Sequence, residues 1–269
     1  MGTIFLKELR RTRFSLILWS AVAGLIIFFG ILEYPALQQI TGSMGLGAMQ
    51  SALDAIPAAG QLIFGIYHIN LSDPIGYYIV MYYWAGLIVF THAMYTGASV
   101  ISKESRDKTA EYLFTKPYKR GVIVWAKVFT AFVNIFAVGL TALVLSVLGM
   151  LPITRDPGVY AHILATGAGM FFTQCVLMTL GLLCSAVFKT YRSGVFAAMA
   201  LLILCYCLMF FVQYDSSSSL YFLSPLAYFE ISYVAANGLN IWYVLLTVLV
   251  AAVCIGLTQI LYKKKVMIV

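Results

Sequence analysis

The 269 residues are 62 % hydrophobic and only 10 % charged, with a mean hydropathy of +0.93. A soluble globular chain carries about a quarter charged residues, so that class is excluded, and the apolar runs are long enough to cross a bilayer, for which about 20 residues suffice. The formal charge of +7 does not point to nucleic acid, because the basic residues gather at the ends of apolar runs instead of over one surface.

In chain order, Met1 to Arg13 sets Ile4, Phe5, Leu6 and Leu9 among Lys7, Arg10, Arg11 and Arg13. This spacing fits an amphipathic, elbow-like helix in the membrane interface, with a basic leader that only sets orientation as the alternative. Phe14 to Leu32 is the first span. It is longer than a signal-peptide core, and no small-residue cleavage site follows it. Glu33 to Asp73 is rich in Gly, Gln, Ser and Pro, too long for a plain turn, and is expected to form one or two short helices on the outer face.

Pro74 to Ser102 carries no formal charge and is the second span. Its outer half holds Tyr77, Tyr78, Tyr82, Tyr83 and Trp84, which read as an interfacial aromatic belt or, second, as the wall of a pathway. Val128 to Leu151 is the third span, and Pro152 to Gly158 makes a polar return. The fourth lies within Tyr160 to Phe188, and the fifth runs from Gly194 to Val212. Leu220 to Asn240 is apolar but interrupted by Pro225, Glu230, Asn237 and Gly238, so it reads as a re-entrant or surface helix buried against protein. Ile241 to Tyr262 is the sixth span, closed by Lys263, Lys264 and Lys265.

The expected fold is therefore an all-α membrane protein: one transmembrane domain over residues 1–269, with an interfacial helix at 1–13 and six transmembrane helices. Outer-face segments lie at 34–73 and 215–240, and a cytosolic loop at 102–120. Six spans put both termini on one side. Sixteen of the seventeen Lys and Arg fall on that side, and only Arg155 lies opposite. Such a bias places both termini in the cytoplasm; the plasma membrane is the expected location.

The signatures of an intramembrane enzyme are missing. There is no His-Glu-x-x-His to set two imidazoles on one helical face, and no Gly-x-x-x-x-Gly-Lys-Ser/Thr loop to hold ATP phosphates. Gly97-Ala98-Ser99 lacks the second glycine of a nucleophile turn and reads as small residues packing helices closely. Cys175, Cys184, Cys205, Cys207 and Cys254 lie within apolar runs without zinc spacing, and read as small hydrophobes. No catalytic residue, metal or cofactor is expected in this chain.

No Asp, Glu, Lys or Arg sits near the centre of a span, where each would cost about 2.5 to 3.5 kcal/mol and mark an ion relay; this counts against an ion-coupled carrier. His92, Asn134 and Gln174 remain, and hydrogen bonding between helices is their expected role. Val89, His92, Thr96 and Ser99 share one helical face that could line a groove between subunits. With Tyr78 and Tyr82, His92, Thr96 and Ser99 are the candidate pathway lining.

The charged centre of the chain carries the strongest signal. Seven Lys or Arg and three carboxylates (Glu104, Asp107 and Glu111) lie between Lys103 and Lys127. Asp107 is a candidate N-cap for about two turns from Lys108 to Thr115, and Pro117 ends them. A helix so short is marginal alone. Docking Tyr112, Leu113 and Phe114 into a soluble partner would stabilise it, and folding against the membrane surface is the alternative.

The run from Glu104 to Arg120, with Thr109-x-Glu111-x-Leu113, Lys116-Pro117, Arg120 and then Lys127, resembles the cytosolic signature of type-2 ATP-binding-cassette (ABC) exporter permeases. The basic start, six spans, long first outer loop and basic tail are similar as well. Phe114 and Tyr118 depart mildly from the commoner residues. The resemblance implies a coupling helix at Lys108 to Thr115 seated in a separate ATPase subunit, with Glu104, Arg106, Lys108, Thr109, Glu111, Tyr112, Leu113, Phe114, Pro117 and Arg120 at the interface. It also implies two ATPase subunits, a second permease chain that is identical or homologous, and ATP-driven export. A scaffold or sensor recruiting soluble partners through the same loop is the alternative.

Overall fold

The computed structural model describes residues 2–106, 120–188, 190–214 and 219–264, and among them every regular element is helical. Gly2–Leu32 is α1, Tyr34–Met44 α2, Leu46–Asp54 α3, Ala58–Phe64 α4 and Pro74–Arg106 α5. Arg120–Met150 is α6, Pro157–Val187 α7, Tyr191–Tyr214 α8, Ile231–Asn237 α9 and Ile241–Lys264 α10. Six of these helical runs are long and apolar enough to cross a membrane. They alternate in direction, so residues 2, 106, 120 and 264 share one face, called here the terminal face. Residues 33–73, 151–156 and 219–240 lie on the opposite face.

The basic N-terminal residues are not a separate element: they form the first turns of a single helix that runs on through the first span. At 31 residues α1 is about 46 Å long, well beyond a hydrocarbon core of about 30 Å, so Lys7, Arg10, Arg11 and Arg13 lie beyond the stretch that lipid requires. The helix bends at Glu33, where Pro35 follows: proline lacks an N–H and crowds the carbonyl one turn back. α1 packs on α6 and α5 through small residues and close contacts. A Cβ at Gly149 would stand 3.3 Å from Ile31, and Ala23, Ile27 and Ile31 are buried. Its other side exposes Phe14, Ile17, Leu18 and Leu25, as a lipid-facing surface should.

Residues 34–64 hold three short helices, one more than expected. Gly45 at φ 86° and Gly65 at φ 70° supply left-handed turns that end α2 and α4, and Pro57 starts α4. The set is tied to the residues just before α5, where Tyr34 Oη donates to the Ser72 carbonyl at 2.7 Å, and beside it Tyr77 Oη of α5 donates to the Gly30 carbonyl of α1 at 2.8 Å.

α7 is the axis of the fold and touches α5, α6, α8, α9 and α10. Its start is capped by Asp156, whose carboxylate accepts from the Gly158 N–H at 2.9 Å, with Pro157 at the first helical position. α5 crosses it where two glycines face each other. A Cβ on Gly97 would collide with the Met178 carbonyl, and one on Gly181 with the Met94 carbonyl. The small residues of Gly97-Ala98-Ser99 are thus a packing device, as expected, and backbone-to-backbone contact stands where apolar burial offers no advantage over lipid.

The interrupted stretch before α10 is re-entrant. A 3₁₀ turn, Ser219–Leu223, leads to Ser224, which is fully buried and whose Oγ donates to the Cys205 carbonyl at 3.4 Å. Cys205 sits about 14 Å along α8 from its end at Tyr214, so the chain dips that far into the bundle. Phe229 stacks on Phe172 of α7 at 5.6 Å and Tyr228 on Tyr243 of α10 at 5.5 Å. Backbone without helical hydrogen bonds is tolerated at this depth only because protein surrounds it.

Candidate functional site

Two sites follow from the fold. The first is the base of the charged segment. α5 ends at Arg106 and α6 begins at Arg120, so residues 107–119 join their ends on the terminal face. Lys108, Thr109, Glu111, Tyr112, Leu113, Phe114 and Pro117 lie outside the described residues. Glu104 and Arg106 belong to the last turn of α5 and Arg120 opens α6, and of these three the structure describes the backbone alone.

Lys127, the last of the charged residues that begin at Lys103, is not in water. It lies two turns inside α6, has no exposed surface, and its Nζ donates to the Val100 carbonyl of α5 at 2.7 Å. The third span accordingly begins earlier than Val128. Val124, Val128 and Ala131 of α6 are buried in the same apolar cluster as Val100 and Ile101 of α5. The nitrogen meets a carbonyl on the neighbouring helix, so its burial is matched by a hydrogen bond. The two helices that bracket the segment are thus tied together at its base.

The second site is a polar cavity of about 200 Å³ between α1, α5 and α6, in the half of the bundle nearer the terminal face. His92, Thr96 and Ser99 all line it, joined by Arg11, Thr12, Ser15, Tyr95 and Asn134. Helical spacing brings the three predicted residues together, as the sequence indicates, and within this chain they line a cavity shared with α1 and α6. Val89 is fully buried and closes the row.

Within the cavity, Asn134 Nδ2 donates to Thr12 Oγ1 at 3.1 Å, the expected bond between helices. His92 Nε2 bonds within its own helix to Thr96 Oγ1 at 3.1 Å, while its Nδ1 is buried with no hydrogen-bond partner among the described residues. Its ring lies 5.5 Å from that of Trp19. Gln174, the third buried polar residue, departs from expectation. It is fully buried, its amide O and N find no partner among the described residues, and Gly139 of α6 presses against it.

Tyr78 and Tyr82, also candidates for the pathway, lie outside this cavity. They are buried between α5 and α7, where Tyr78 Oη bonds Thr166 Oγ1 at 3.0 Å and Tyr82 Oη donates to the Thr166 carbonyl at 2.8 Å. Tyr77 and Tyr83 likewise hold backbone carbonyls of neighbouring elements. The four tyrosines of the cluster thus join neighbouring elements, while Trp84 is exposed. A buried tyrosine needs a partner for its hydroxyl, and the neighbouring backbone supplies one. Of the cysteines, Cys205 and Cys254 are buried and Cys207 is exposed, all as free thiols.

Sequence reasoning missed the cavity walls on α1 because Thr12 sits in the basic start, read for its charge and apolar spacing, and Ser15 in the first span, read for its apolarity. It missed Lys127 because a carbonyl partner leaves no mark in the sequence. The signal available was one lysine within the apolar run Val122 to Val133.

Among known families, the one described as "ABC-2 family transporter protein" matches residues 2–266, nearly the whole chain. No curated protein matches it.

Proposed function

This chain belongs to the ABC-2 transporter family and is a multi-pass membrane permease; from that premise we propose that it forms the translocation pathway of an ATP-driven exporter in the plasma membrane. Both termini and the segment 102–120 face the cytoplasm, and the opposite face lies outside. A separate ATPase subunit grips Lys108 to Thr115, and a second permease chain with a second ATPase completes the assembly. The charge bias supports this orientation. His92, Thr96 and Ser99 form the cytoplasmic-side lining of the pathway.

The observation that carries the reading is the linkage at the base of the segment. Lys127 ties α6 to α5, and α5 meets α7 backbone to backbone at Gly97 and Gly181. A pull on residues 107–119 would thus reach the bundle axis through contacts that have no slack. Closure of an ATPase pair supplies such a pull, and a rocking bundle converts it into a change of access to the cavity.

The test uses Glu104→Ala and Leu113→Asp in the reconstituted complex. Both variants are expected to insert normally and to break the link between ATP hydrolysis and transport. Normal hydrolysis and transport in both would overturn the assignment of the segment.

A further inference from the structure

On the face opposite the termini, a cleft of about 300 Å³ opens between the end of α4, the start of α5, the end of α8 and the re-entrant segment. It borders a second hollow of about 460 Å³ that reaches Asp73 and His162, and an inner slot of about 50 Å³ between α5 and α8. Three features of its lining agree. Tyr67, Tyr83 and Tyr221 border the cleft. Glu230 lines both cleft and slot, Asp73 lines the outer hollow, and among the described residues no Lys or Arg lines any of the three. The slot is largely apolar, walled by Leu87, Phe90, Met209 and Phe229; Glu230 and Gln213 stand on its wall, and the Tyr206 hydroxyl is buried there with no hydrogen-bond partner among the described residues.

The walls are held in place before any ligand arrives. Tyr83 Oη donates to the Ile63 carbonyl at 3.1 Å, and its ring packs so closely on Gly65 that a Cβ there would stand 2.6 Å away. Gly65 has φ 70°, so its backbone also disfavours any side chain. The Glu230 carboxylate accepts from the Ser232 and Tyr233 N–H groups at 3.2 and 2.8 Å, one bond to each oxygen, which leaves lone pairs on both. Burial first, and then the Glu230 charge, hold the Tyr221 hydroxyl above its usual range, so this ring stays a neutral phenol.

We propose that this cleft is a binding site for an amphipathic organic cation, its charge set against Glu230 and the tyrosine faces and its apolar body directed into the slot between α5 and α8. Carboxylates and aromatic faces with no lysine or arginine beside them select positive charge; His68 in the cleft and His162 in the outer hollow are the imidazoles on these walls. A volume near 300 Å³ with an apolar extension suits a small organic molecule better than a hydrated metal ion. The proposal concerns binding by this chain alone and does not depend on the export reading.

The test is direct binding to the full chain in lipid nanodiscs, with empty nanodiscs subtracted. Two ions of one shape and opposite charge are compared: tetraphenylphosphonium and tetraphenylborate. The cation is expected to bind saturably, and the borate at least about ten-fold more weakly, the effect of a single favourable charge contact. Glu230→Gln, which keeps an oxygen to cap α9, is expected to weaken the cation about ten-fold. Tyr221→Leu, away from that cap, is expected to weaken it about three-fold. The melting temperature of each variant identifies a folding defect, and if Glu230→Gln fails to fold then Tyr221→Leu and the ion pair decide. Absence of saturable cation binding, equal affinity for the two ions, or unchanged affinity in the folded variants would each overturn the proposal.

Discussion

Lys127 offers a perturbation that separates packing from linkage. Its side chain is fully buried, and its Nζ reaches the Val100 carbonyl at 2.7 Å. Lys127→Met keeps the apolar stem and removes the nitrogen, while Lys127→Ala removes both. Each variant loses the same polar contacts, so the difference between them reports the stem alone. Truncation removes about three buried methylenes, at about 0.8 kcal/mol apiece. Lys127→Ala should therefore be less stable than Lys127→Met by about 2 kcal/mol, before any further loss from the cavity left behind. Thermal unfolding in one detergent, followed by tryptophan fluorescence, reads this difference. Both variants should transport less per ATP hydrolysed when the ATPase subunits are present, because both lose the tie between α5 and α6. Equal melting temperatures for Met and Ala would show that the stem is not packed as described. Normal coupling in Lys127→Met would show that the tie is not needed to transmit the pull.

Two further substitutions test other parts of the account. Gly97→Val should prevent stable assembly, because its Cβ would meet the Met178 carbonyl, which is backbone and cannot swing aside; the expected loss exceeds the about 1–3 kcal/mol of ordinary overpacking, read as yield of folded protein by size-exclusion chromatography. A folded, normally stable Gly97→Val chain would contradict the crossing. Gln174→Met should raise the melting temperature, since an unpaired buried amide costs about 1–3 kcal/mol that methionine avoids at similar volume. A fall in melting temperature would mean that the amide is satisfied in the membrane.

The spans were legible because lipid imposes length and apolarity on every one of them; four of the six helices begin and end within a few residues of the expected positions, while α1 and α6 begin earlier, at Gly2 and Arg120. The re-entrant segment was legible in part. Pro225, Glu230 and Gly238 marked interruptions, and the structure turns these into a buried turn, an N-cap and a left-handed terminator. The depth of the dip was not legible, since it depends on Ser224 meeting a carbonyl of α8. In 34–64, Gly45, Pro57 and Gly65 were visible as punctuation, yet punctuation alone does not say how many helices lie between. The cavity was half legible: one helical period gathers His92, Thr96 and Ser99, but Thr12 and Asn134 are brought beside them only by tertiary packing. Lys127 was misplaced for a general reason. Charge density assigns a lysine to water, and only the fold shows a long apolar stem packed between helices with a carbonyl at its tip.

The central claim is that the segment between α5 and α6 is gripped from the cytoplasm by an ATPase. A photo-crosslinking residue at position 113, activated in intact membranes that contain the native partners, tests it most directly. The account predicts a covalent adduct between this chain and a nucleotide-binding subunit, lost when the probe is moved to the opposite face at position 156. No adduct at position 113 with such a subunit, or labelling of that position by a membrane-impermeant reagent added to intact cells, would contradict it.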